Sequence, residues 1–277
     1  MELIFLGTGA ADWGAPKAGG EYRGFTSTLL DGKILLDCTA HALKMLREIQ
    51  VEWAQISAVF FTHSHSDHCN PESVGRIAEA RRAAGLSPLK IYGESSWVSR
   101  VFTEGKGYWQ ISALEPFQEV CLENYQLLPL PSNHSSDYRL LANATDSVGT
   151  FQRETTLHYL LQANEKTVLY ALDGAWMLTS AWEVLHDRQL DAWVVDCTIG
   201  AGHAGDYRIF EHNNLSMVQA MAQTLMTATP YGPPVLKAGA PIVLNHLAKT
   251  LHPTQKELDK MLQPPFVAAY DGMSLKL

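Results

Sequence analysis

Cysteine is scarce and scattered in this chain. The four present, Cys38, Cys69, Cys121 and Cys197, form no C-x-x-C pair and no closely spaced framework. That spacing excludes a disulfide scaffold, and the expectation is reduced thiols in a cytoplasmic protein. Long apolar runs are missing as well. None approaches the ~20 residues that span a bilayer, so no membrane partner is expected. Basic charge is in the minority, with 21 Lys and Arg against 29 Asp and Glu and a formal net charge of -8. A general nucleic-acid binder needs a basic stripe to neutralise phosphates, so the balance argues against that partner. A small phosphorylated substrate stays open, because bound cations reverse the local sign. Linkers, low-complexity segments and clear internal repeats are absent from the 277 residues. The start, Met1-Glu2-Leu3-Ile4-Phe5-Leu6, enters a strand at once, without a basic stretch and apolar signal core. One domain over 1–277 is expected, and a second copy of the chain, as a homodimer, is an open partner.

What is present is a succession of short apolar runs. Strands are predicted at 3–6, 27–30, 34–37, 58–61, 157–161, 167–172, 192–196, 241–245 and 266–269. Asp31-Gly32 and Asn164-Glu165-Lys166 read as hairpin turns. Asn70 caps a helix that opens on Pro71 and lines Val74, Ile77 and Ala78 along one face. Further helices are predicted at 95–102, 176–186, 215–226 and 253–261. Hairpins with interleaved helices predict mixed sheets covered by helices, an α/β (α+β) fold. Several strands end on a polar residue: Asp37, Thr62, Asp173, Asp196 and Asn245. A row of polar strand ends is a candidate site edge.

One stretch concentrates the chemistry. His63-Ser64-His65-Ser66-Asp67-His68 follows the apolar run that ends at Phe61. Neutral imidazole is the commonest metal ligand near pH 7, and Asp67 can neutralise a cation or handle a proton. In extended backbone His63 and His65 point to the same side. The loop can therefore aim His63 and His65 at one cation and Asp67 and His68 at another. The competing reading, a polar turn of solvated histidines, fits such density poorly. Three more donors end apolar runs further along: His134, Asp173 and His246. Singly each reads as an ordinary loop residue; together they complete two ligand sets.

That order of donors resembles the metallo-β-lactamase superfamily. Phe5-Leu6-Gly7-Thr8-Gly9-Ala10-Ala11 resembles its opening strand and glycine loop. The segments 129–135, Val194-Val195-Asp196-Cys197, His212-Asn213-Asn214-Leu215-Ser216 and Tyr270-Asp271-Gly272-Met273 resemble one branch, the phosphoribosyl 1,2-cyclic phosphate phosphodiesterases. The resemblance implies a four-layer αββα sandwich of two mixed sheets flanked by helices. It implies two divalent metal ions, one on His63, His65 and His134, the other on Asp67, His68 and His246, with Asp173 bridging. Zinc or manganese suits such nitrogen and oxygen donors. Cys69 is expected to pack under the loop rather than to ligate. One departure stands out: 12–20 has no cysteine, so the branch's extra structural zinc is not expected.

The implied reaction is opening of a small cyclic phosphate, of ribose or a nucleotide, by a hydroxide shared between two metals. Asp67 would orient that hydroxide, and His212 resembles the branch's general acid. Asp37 and Asp196 are candidates to hold ligand histidines from behind. Arg23, Lys106, Tyr108 and Arg139 are weaker candidates for substrate contact, and His203 reads as structural or solvated rather than as a ligand. The tryptophans at 97, 109, 176, 182 and 193 read as core. Alternatives are a tRNA 3′-processing nuclease and, from another class, a non-catalytic metal-binding sensor or scaffold. Lactamase, glyoxalase and thioesterase roles rank lower.

Overall fold

Leu169 and Tyr170 are neighbours in sequence and belong to different cores. The computed structural model describes residues 1–15, 20–103, 107–135 (Ser135 by its backbone) and 154–277. In it Val168 and Tyr170 face the layer between two sheets. Leu169 and Ala171 face a layer beneath helices. A strand buried on both faces has no polar side, which is why such runs read as continuously apolar.

The first sheet takes β1 (Glu2–Gly7), β2 (Ser27–Leu30), β3 (Ile34–Leu36), β4 (Ala58–Phe60), β5 (Leu89–Glu94) and β6 (Trp109–Leu114). The second takes β7 (Val120–Leu122), β8 (Tyr125–Ser135), β9 (Thr155–Ala163), β10 (Lys166–Ala171), β11 (Ala192–Asp196), β12 (Ile242–Asn245) and β13 (Phe266–Ala268). The chain then returns to the first sheet as β14 (Ser274–Lys276), beside β1. Each sheet has seven strands, in the orders β14-β1-β2-β3-β4-β5-β6 and β13-β12-β11-β10-β9-β8-β7. Both are mixed in the same way. Pairing is antiparallel from β14 to β3 and parallel from β3 to β6. It is antiparallel from β7 to β10 and parallel from β10 to β13.

Helices supply the parallel crossovers. α1 (Ala40–Glu48), α2 (Pro71–Ala83) and α3 (Val98–Val101) pack Leu43, Leu46, Val74, Ile77 and Val98 on the outer face of the first sheet. α4 (Thr179–Leu185), α5 (Leu215–Leu225) and α6 (Gln255–Met261) do the same for the second with Ala181, Leu185, Val218, Leu225 and Leu258. The expected four αββα layers are therefore present. Both predicted hairpins form, the first through three residues (31–33) and the second through Asn164 and Glu165, with Asp31, Gly32, Asn164 and Glu165 all at positive φ. Asn70 caps α2 by accepting from Ser73 N at 2.8 Å.

Some elements differ from expectation. α1 was not predicted, although Ala42, Leu43, Met45 and Leu46 are helically spaced and Thr39 caps it. Strands β5, β6, β7 and β14 were also not predicted. β6 interleaves Gln110 and Ser112 with apolar residues and is only partly buried, and β14 is an exposed edge. The helix predicted over 95–102 contracts to one turn. Among the described residues, no helix is long and apolar enough to cross a membrane.

Candidate metal centre

The predicted donors converge where the parallel strands of the two sheets end. β4 runs into the 63–68 loop, which closes through Cys69 N to His65 O at 2.8 Å. His134 stands near the end of β8, Asp173 just beyond β10, and His246 just beyond β12. Asp37, Asp173 and His246 have φ of 60, 54 and 58°, in the left-handed region. Each such residue costs on the order of 1–3 kcal/mol, which the surrounding packing sustains. His63, Asp67, His68, His134, Asp173 and His246 are all buried, and His65 is half-buried.

Asp173 divides the site in two. Its Oδ2 lies 3.8 Å from His63 Nε2 and 3.7 Å from His134 Nε2. Its Oδ1 lies 3.1 Å from His68 Nε2 and 3.4 Å from His246 Nε2. His65 Nδ1 completes the first group, 3.3 Å from His134 Nε2. Asp67 Oδ2 completes the second, 3.4 Å from His246 Nε2 and 3.7 Å from His68 Nε2. Ligands at about 2.0–2.2 Å from one cation sit roughly 3–3.5 Å from each other, so these separations fit shared cations. His63 Nε2 is buried with no hydrogen-bond partner among the described residues, as a lone pair awaiting an ion would be. Donor groups of histidine and aspartate form here without a cysteine. Cys69 is instead buried in the core outside the first sheet.

The electrostatics agree with that fit. Burial, then the nearby His68, holds His63 well below the usual imidazole range. Burial likewise brings His134 down to about 4. Both stay neutral with a lone pair to offer. For His68 burial opposes the charge, but Asp173, Asp37 and Asp67 overcome it and raise the group well above its ordinary value. Asp67 is brought down to about 2, since His68 and His246 outweigh its burial.

Buried acceptors orient the rings from behind. Asp37 Oδ2 lies 2.7 Å from His68 Nδ1. Thr62 Oγ1 donates to Asp37 and sits 3.0 Å from His63 Nδ1. Asp196 is placed differently from the expectation, for its histidine is His212, at 2.6 Å from Oδ2 to Nδ1. Its hydrogen-bonded link to His246 runs through Thr198, whose hydroxyl donates to Asp196 Oδ1 at 2.9 Å and lies 2.8 Å from His246 Nδ1. Burial works against a charged His212, yet Asp196 outweighs it and pushes the group up to about 9. His212 lines an open cleft together with Asp67, His134, Asp173 and His246. Tyr207, Arg208 and Glu211 form part of its wall.

Other expectations need correction. Arg23 is buried away from the cleft lining, donating to Thr8 Oγ1 and the Ala269 carbonyl. Asp271 accepts from Thr8 and Gly24, so it ties the two chain ends together. Tyr108 stacks under Arg82. Trp176 is 49% exposed, whereas Trp97 and Trp193 are core. His203 is exposed. Lys106 and Arg139 lie outside the described residues. Sequence reasoning gave Thr62 only as a polar strand end and passed over Thr198 and Glu154. The last holds Ser64 in the histidine loop from 90 residues away. The Asp196-Cys197-Thr198 spacing was a usable signal for Thr198; Glu154 had none.

Comparison with known proteins agrees with this architecture. A family model described as anti-Pycsar protein Apyc1 matches residues 1–74. No curated protein matches the chain. Among solved structures, the metallo-β-lactamase fold protein YhfI from Bacillus subtilis superposes with a TM-score of 0.68 at 16% identity, covering 99% of this chain and 98% of that one. A diphosphatase from the PhnP family gives 0.70 at 18%, covering 99% and 96%. The short form of human tRNase Z gives 0.67 at 16%, covering 100% and 99%. Two mixed sheets with helices on both outer faces, matched end to end by these structures, give this chain the metallo-β-lactamase fold.

Proposed function

We propose that the protein is a metal-dependent hydrolase that opens a small cyclic phosphodiester, of ribose or of a nucleotide. One observation carries this reading: Asp173 offers one oxygen to each of two separate histidine groups. The first cation would be held by His63, His65 and His134, the second by Asp67, His68 and His246, and Asp173 would touch both. Two divalent ions so held, zinc or manganese, would supply Lewis acidity, a nucleophile at neutral pH and charge neutralisation at phosphorus.

The chain's own residues would do the rest. Asp67 is ionised and buried at the cleft wall, placed to accept a hydrogen bond from the attacking water and aim it. Asp196 commits His212 Nδ1, so Nε2 is the nitrogen left to deliver a proton to the departing alkoxide. Pushed up to about 9, His212 carries that proton at neutral pH. Likeness to a PhnP-family diphosphatase supports a phosphorylated substrate.

The test is hydrolysis of bis(p-nitrophenyl) phosphate with added Mn²⁺ or Zn²⁺, followed by ribose 1,2-cyclic phosphate and 2′,3′-cyclic nucleotides, with metal analysis of the same sample. Turnover of a cyclic phosphate by metal-loaded protein is expected. Metal-replete protein that cleaves none of them would return the chain to the binding-protein class. Trimming of a tRNA 3′ end in place of the cyclic phosphates would favour the nuclease reading.

A further inference from the structure

We propose that Glu154 is a positioning residue for the first donor group, acting through Ser64. This inference rests on the reading that His63, His65 and His134 hold a cation. Ser64 stands between two of those donors. Its backbone N–H donates to Glu154 Oε1 at 2.7 Å, and its hydroxyl donates to Oε2 at 2.6 Å. One carboxylate thereby fixes both the peptide plane and the side chain of the residue that links His63 to His65. Hydrogen bonds to an ionised acceptor are about twice as strong as neutral ones.

The place of Glu154 in the fold extends its reach to the third donor. It immediately precedes β9, and Thr155 pairs with Ser135 of β8, the residue after His134. The β9 backbone also holds the loop directly, with Leu157 N donating to Thr62 O at 2.8 Å. The start of β9 is thus tied to His134 on one side and to the His63–His65 span on the other. The second group is anchored from elsewhere, by Asp37 behind His68 and Thr198 behind His246. Loss of Glu154 should therefore weaken one metal step and spare the other.

Equilibrium dialysis of the full chain against Zn²⁺, with bound zinc counted, tests this. Wild-type protein should take up two ions. Glu154→Ala should weaken one step by about 10–100-fold, the range for removing a group that orients a ligand. The weakened step should be the one lost in His65→Ala, not the one lost in His246→Ala. Glu154→Gln should restore most of the affinity, because its carbonyl still accepts the Ser64 N–H and its amide can donate to the hydroxyl. Adding Ser64→Ala to Glu154→Ala should cost little more, since the two share one interaction. Circular dichroism separates this from misfolding. Two zinc ions bound with unchanged affinity by a folded Glu154→Ala protein would sink the inference alone, as would equal weakening of both steps. Failure of wild type to bind zinc would overturn the dinuclear reading, and this inference with it.

Discussion

Asp196 holds His212 across 2.6 Å, from Oδ2 to Nδ1, with the carboxylate fully buried. Asp37 holds His68 in the same manner across 2.7 Å, in the other sheet. Each carboxylate also takes a threonine hydroxyl that touches a second histidine, Thr198 toward His246 and Thr62 toward His63. Two strand-end carboxylates thus set the orientation of four rings. For His212 the consequence is an Nδ1 committed to Asp196, with Nε2 left toward the cleft.

His212→Ala should cut kcat on ribose 1,2-cyclic phosphate by about 10²–10⁴-fold, the usual contribution of a general acid. The loss on bis(p-nitrophenyl) phosphate should be much smaller, because its leaving group needs no proton. Metal content should stay near wild type. Normal turnover of the unactivated substrate would remove His212 from the mechanism.

Asp196→Asn tests the coupling through pH. The carboxylate raises His212 to about 9 in the metal-free protein. Against an ordinary value of about 6.5, stability from this pair is fully present below that pH and is lost as pH rises through 9. The melting temperature of chelated wild type should therefore exceed that of Asp196→Asn by more at pH 6 than at pH 10. A gap that does not change with pH would show that the pair carries no titrating stabilisation.

The histidine loop was legible because its chemistry is local: four donors in six positions after a buried strand. His134, Asp173 and His246 were legible by their place after apolar runs, which the fold turns into one edge. Asp37 was found for the same reason. What stayed hidden acts across the chain. Glu154 meets Ser64 at a separation of 90 residues, and Thr198 meets His246 at 48, so neither pairing leaves a local pattern. The shared plan of the two sheets was equally hidden. It lies in strand order and crossover direction, which different apolar sequences satisfy equally well. Trp176 defied expectation because composition favours burying tryptophan, while its left-handed backbone, φ 55°, turns it out beside the Asp173 loop.

Asp173→Ala should do more damage to metal binding than loss of any single histidine. It removes a carboxylate that faces both donor sets, and it leaves His68 and His246 with one carboxylate fewer between them. The expected outcome is fewer than one ion per chain after dialysis, against two in wild type. Retention of both ions would exclude a bridging role and divide the site into two independent ones.

Metal uptake should release protons near neutral pH. Burial disfavours a charged His68, but Asp173, Asp37 and Asp67 raise it well above its usual range, so the metal-free protein carries a proton there. A cation on His68 Nε2 must displace it, and affinity must fall as pH falls. Calorimetric titration with Zn²⁺ in two buffers of different ionisation enthalpy should give apparent enthalpies that differ by at least one proton's worth. Asp37→Asn removes the acceptor at His68 Nδ1, so it should lower both the proton release and the affinity, the latter by about 10–100-fold. Equal enthalpies in both buffers would mean that His68 is already neutral, and that the carboxylates around it serve the cation alone.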